Sequence, residues 1–141
     1  MILFAVLSLL AIFFLKTQVY QSVDDHFESK ISLSKVNNLS NTEIVEKLFT
    51  MYLEHYKGKS IFDNQRIKDY KNIKVTEEKY VTDGTAFSVS YLVQQHFWNE
   101  YWEVGGKAKD GMIRQFVFVS LIKEKDQFRL KLNGTAPPIP K

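Results

Sequence analysis

The chain opens on an apolar run from Ile2 to Leu15, broken only by Ser8 and closed by Lys16. A spanning helix needs about 20 apolar residues, so this run crosses a bilayer only if Val19 and Tyr20 extend it past a snorkelling Lys16. Its length suits the core of a signal peptide, but no basic residues precede it and no small-x-small cleavage site follows. The run is apolar all round, unlike a surface helix with one buried stripe. We expect residues 1–20 to be an uncleaved signal-anchor that keeps the bulk of the chain extracytoplasmic, with secretion after cleavage as the alternative. Lys16 on the outer side runs against the positive-inside preference.

The pattern then turns polar. Residues 21–39 read as a stalk, with a frayed helix over Val23 to Ile31. Ser40 followed by Glu43 is a capping box. After it, Ile44, Val45, Leu48, Phe49, Tyr52, Leu53 and Tyr56 recur at i, i+3, i+4 and i+7, the spacing of a helix with one buried face, and Gly58 is a natural end. Asp63 is placed to cap a short second helix reaching Tyr70.

Beyond Tyr70 the period becomes two. Ile73, Val75, Lys79 and Val81 alternate with polar residues up to Thr82-Asp83-Gly84, a hairpin turn. The next strand, Thr85 to about Trp102, puts Phe87, Val89, Tyr91, Val93 and Phe97 on one face. A glycine-containing loop leads to a third strand, Met112 to Lys123, whose centre (Phe116 to Ile122) is apolar on both faces and predicts an interior strand. A fourth strand carries Phe128, Leu130 and Leu132 inward, with Arg129 and Lys131 outward. The expected fold is α+β: one long and one short helix packed on a curved, four-stranded antiparallel sheet spanning residues 40–141.

Composition narrows the class. A chain of 141 residues holds one domain of ordinary size. It has no cysteine, which excludes thiolate chemistry, disulfides and a lipid-modified cysteine anchor. The net charge of +3 is modest. Its lysines are scattered and arginine occurs only at 66, 114 and 129, so no nucleic-acid footprint is expected.

This order of elements resembles the NTF2-like superfamily. The resemblance covers about Ser40 to Pro138 and rests on element order, on the aromatic end of the second strand (Phe97 to Trp102), and on the closing Leu132 to Pro137. It implies a cone in which a helical layer faces a curved sheet, similar to small extracytoplasmic domains of Gram-positive type. The superfamily hosts enzymes, binding modules and inert scaffolds, so the fold leaves the activity open.

Candidate chemistry is sparse. Enzymes of that superfamily set an Asp or His base and a Tyr donor inside the cone. The nearest residues here are Tyr80, Tyr91, His96 and Asp110, and Asp110 reads more simply as a turn residue. His96 and Glu100 have a metal-ligand spacing on a helix, but on a strand residues four apart are about 13 Å from each other. Asp24, Asp25 and His26 read as a solvated stalk. The loop Gly105-Gly106-Lys107 lacks the pattern that cradles phosphate. Asn38 and Asn133 head glycosylation sequons, relevant only to a eukaryotic secretory route.

The aromatic cluster is the more informative feature. Alternation sends Trp98 and Trp102 to one face, Phe97 and Tyr101 to the other, so one pair fills core while the other fronts the cone mouth or a protein partner. The expectation is a non-enzymatic domain without cofactor or metal, displayed at a membrane. It would act by protein contact (self-association included) or as an envelope scaffold, in the manner of single-span subunits of conjugation and secretion machines. The alternative is a small-molecule binder or enzyme using the cone interior.

Overall fold

The computed structural model describes residues 6–11, 27–60, 63, 65–79, 85–95, 102, 108 and 110–135. Five strands form one antiparallel sheet: β1 (Lys30–Ser32), β2 (Ile67–Glu77), β3 (Ala86–Gln95), β4 (Ile113–Lys123) and β5 (Gln127–Gly134). Their spatial order is β1-β5-β4-β3-β2. The sheet curls into a half-barrel around one long helix, α1 (Asn41–Gly58).

The helix begins where the sequence predicts. Glu43 N–H donates to the Ser40 hydroxyl, and Glu43 Oε2 accepts from Ser40 N–H at 2.7 Å. Two of the orphan donors at the helix start are thereby satisfied. The seven apolar residues of its stripe are all buried. They face Phe87, Val89, Tyr91 and Val93 of β3 and Val117, Val119 and Leu121 of β4 in one apolar cluster. β4 is interior to the sheet, flanked by β3 and β5.

Three expectations are corrected. First, the segment after Asp63 is not a second helix. Asp63 Oδ1 accepts the Gln65 N–H at 2.8 Å, a turn, and β2 starts at Ile67. The pairing of β2 with β3 shifts twice, between Ile67 and Asp69 and between Lys71 and Lys74. Each extra residue moves the next inward side chain along by one, so Ile67, Tyr70 and Ile73 recur every three residues and imitate a helix. Asn72 takes the left-handed conformation at the second bulge (φ 55°).

Second, the sheet has five strands, not four. Residues 30–32, expected in the stalk, pair with β5 through Lys30–Arg129, Ile31–Phe128 and Ser32–Gln127. Ser29, Ile31 and Val36 are buried, and Phe27 stacks on His55 at 4.0 Å with the rings nearly parallel. The domain therefore begins by Phe27, and residues 27–39 are part of it. Third, Trp102, expected at the end of the second strand, lies in a turn, so strand alternation does not fix its direction. The Thr82-Asp83-Gly84 turn lies outside the described residues, but the strands it joins are paired as expected, Glu77 opposite Phe87.

Residues 6–11 are helical and exposed. Among the described residues no helix is long and apolar enough to cross a membrane.

Candidate functional site

The concave side of the sheet is packed. Tyr91, offered by the sequence as a pocket residue, is 6% exposed and meets Phe49 edge-on at 4.9 Å. Trp102 is 4% exposed and stands edge-on to Tyr56 at 5.8 Å. Its indole N–H donates to the carbonyl of Gln65 at 2.9 Å, and its own carbonyl accepts from Gln115 Nε2 at 2.6 Å. Trp102 thus belongs to the core, tying the start of β2 to β4, and a partner docking from outside does not reach its ring.

Beside it lies a small polar layer. The Lys59 side chain, 10% exposed, is held by Asp63 at 3.3 Å and by Gln65 Oε1 at 2.8 Å, above the face of Tyr56. Desolvating an ammonium costs several kcal/mol unless it is paired, and here carboxylate, amide and ring all supply that pairing. The layer joins the end of α1 to the start of β2 and leaves the lysine charge compensated.

A second polar contact links α1 and β2. Tyr70 donates to Glu54 Oε1 at 2.5 Å, and Lys57 pairs with Asp69 at 3.2 Å while lying over the Tyr70 ring. Burial, with the Glu54 carboxylate beside it, pushes the Tyr70 phenol up to about 12. The bond from Lys57 holds the Asp69 carboxyl below its usual range. These groups brace the helix on an edge strand.

The outer face of the sheet is different, and the sequence pattern pointed at it without naming it. Phe116 and Phe118 belong to a strand whose sequence is apolar on both faces. Phe116 instead faces away from α1 and is 46% exposed, with Phe118 edge-on to it at 4.9 Å. The register lays out rows across this face: Lys71–Leu92–Arg114, then Lys74–Ser90–Phe116, then Thr76–Ser88–Phe118. Lys131 follows, opposite Ser120. Arg114, Lys74 and Lys131 form no ion pair among the described residues, and Lys71 has only Asp110 at 4.0 Å. The acids at the margins are engaged, Asp69 by Lys57 and both Glu28 and Glu124 by Arg129. Glu78, just past the end of β2, adds one acidic group nearby.

Asp110 is an exposed turn residue whose carboxylate accepts the Met112 N–H at 3.3 Å. The remaining sequence candidates, Phe97, Trp98, Tyr101, Tyr80, His96 and Glu100, lie outside the described residues, as do Asp24 to His26 and Gly105 to Lys107. Among the described residues no three His, Asp or Glu side chains gather as a metal would require. No family model, curated protein or solved structure matches this chain.

Proposed function

We propose that this chain is a non-enzymatic, membrane-anchored domain of NTF2-like type, displayed on the extracytoplasmic side, that acts by protein contact or as an envelope scaffold. The plan of anchor, linker and domain is similar to that of single-span subunits of conjugation and secretion machines. One observation carries the reading: the space enclosed between sheet and helix is taken by side chains. Leu48, Phe49, Leu53, Phe87, Val89, Val93 and Val119 are wholly buried there, and Tyr91 and Trp102 complete the packing. Catalytic and ligand sites are usually concave and hold a few convergent polar groups. With the concave side packed, the recognition surfaces that the described residues offer are external.

The membrane half of the reading is supported by the apolar run at the N-terminus. Its described part, residues 6–11, is helical and leaves Leu9 66% and Leu10 58% exposed to solvent, which lipid would cover favourably.

The test is protease shaving of intact cells that express the full chain with a C-terminal tag. The tag is expected to be lost without lysis, while a cytoplasmic marker survives. A tag that is cleaved only after lysis contradicts the extracytoplasmic placement.

A further inference from the structure

We propose that the outer face of the sheet lies flat on an anionic lipid surface and orients the domain with α1 pointing away from it. The inference rests on the membrane reading above and adds to it the ligand of one face. The face carries Lys71, Lys74, Arg114 and Lys131 around the half-exposed Phe116, with small serines between them. The opposite side of the domain carries no such cluster. The charges on the solvent side of α1 are mixed, Glu43, Glu46 and Glu54 against Lys47 and the 42%-exposed Lys57. A domain whose uncompensated cations gather on one side turns that side toward a negatively charged plane.

Two further observations favour lipid as the occupant. The cations are spread across three strands, and most are lysines, point charges on flexible stems that follow mobile headgroups without a fixed geometry. The chain also enters the domain at the edge of this same face: Ser29 O accepts from Leu130 N–H, and Lys30 lies opposite Arg129. Between the end of the anchor at Tyr20 and Phe27 lie residues 21–26, which extend at roughly 3.5 Å per residue at most. That tether is short enough to keep the face near the bilayer and long enough to let it lie down. A second copy docking by the same face would oppose like charges, which disfavours a two-fold dimer there.

The cysteine-free sequence makes the test direct. Full chain bearing Thr76→Cys (exposed on β2, on the outer face) or Met51→Cys (exposed on α1) is labelled with a fluorophore and reconstituted into lipid nanodiscs. The discs hold phosphatidylcholine alone, or an equal mixture with phosphatidylglycerol, each with a headgroup-bound quencher. In the anionic discs the label at 76 is expected to be quenched several-fold more than the label at 51. The difference should collapse in phosphatidylcholine, at high salt, and in the Lys74→Glu/Arg114→Glu variant, while Lys47→Glu leaves it intact. The high-salt arm decides the matter even if the double variant folds poorly.

Equal quenching at both positions in anionic discs overturns the inference and leaves an acidic protein as the partner of this face. A difference that persists in phosphatidylcholine and at high salt overturns the electrostatic argument. Shielding of residue 76 that grows with the number of chains per disc assigns the face to a second copy, which also overturns it. A chain that enters the discs but does not orient defeats this inference alone. One that fails to enter them defeats the anchor reading and this inference with it.

Discussion

The indole N–H of Trp102 bonds the backbone carbonyl of Gln65 at 2.9 Å, joining a turn ahead of β4 to the segment that opens β2. Both partners are buried, so the bond is sheltered from competing water. Trp102→Phe keeps most of the packing but strands a buried acceptor, at an expected cost of about 1–3 kcal/mol. Trp102→Ala also empties the space against Tyr56 and should cost about 3–5 kcal/mol. Denaturant unfolding of the two variants checks both values. Two variants as stable as the parent would mean that Trp102 is not a core residue.

The early start of the domain has its own consequence. Ile31 and Val36 are buried in the same cluster as α1, so Ile31→Ala should lower stability by about 2–5 kcal/mol. A chain truncated to begin at Ser40 loses β1 and exposes the edge of β5, and should unfold far more readily than one beginning at residue 27. Thermal melts of the two truncations distinguish these cases. Equal melting temperatures would restore residues 27–39 to the role of a stalk.

Tyr70 gives a signature at alkaline pH. The folded chain keeps the phenol proton to about pH 12, whereas an unfolded tyrosine releases it near pH 10. Between those values the folded state binds more protons, so stability falls as pH rises through that window. Glu54→Gln removes the carboxylate that accepts from Tyr70 and should bring the titration part of the way down, since burial remains. The chain has seven tyrosines, so the measurement is a difference titration of ultraviolet absorbance between variant and parent. Superimposable curves would contradict the contact.

The capping box behaves in the opposite sense. Hydrogen bonds from Ser40 hold the Glu43 carboxyl below its usual range, so its contribution is present above about pH 4.5 and is lost as pH falls through the lowered value. Ser40→Ala should cost about 1 kcal/mol at neutral pH and weaken the acid dependence of unfolding. Urea midpoints of parent and variant compared at neutral and acid pH show both effects. A variant with the parent's acid dependence would contradict the assignment.

What could be read from the sequence follows physical lines. The helix was legible because one uninterrupted period of 3.6 governs all seven buried residues between Ile44 and Tyr56. β4 was legible as an apolar run from Phe116 to Ile122, and β5 because Phe128, Leu130 and Leu132 alternate with Arg129 and Lys131. β2 was misread at its start because two bulges replace alternation with a spacing of three. β1 escaped notice because three residues carry a single inward side chain, Ile31, and its pairing with β5 is set by chain segments about 100 residues apart. On the outer face, the doubled apolar pattern of β4 was visible but admits two physical outcomes, a covered second face or an exposed patch. Phe116 shows the second. The aromatic segment Phe97 to Tyr101 lies outside the described residues, and Trp102 is the described member of that cluster.

The central claim is that the N-terminal run holds this packed domain at a membrane, and alkaline extraction of membranes from cells expressing the full chain tests it most directly. The parent chain should stay in the membrane pellet. A Leu7→Lys/Leu10→Lys variant, in which each lysine at the centre of a span costs about 2.5–3.5 kcal/mol of insertion, should move to the soluble fraction. If the parent is itself released by alkali, or if the charged variant is retained as firmly as the parent, the run is not an anchor and the account fails.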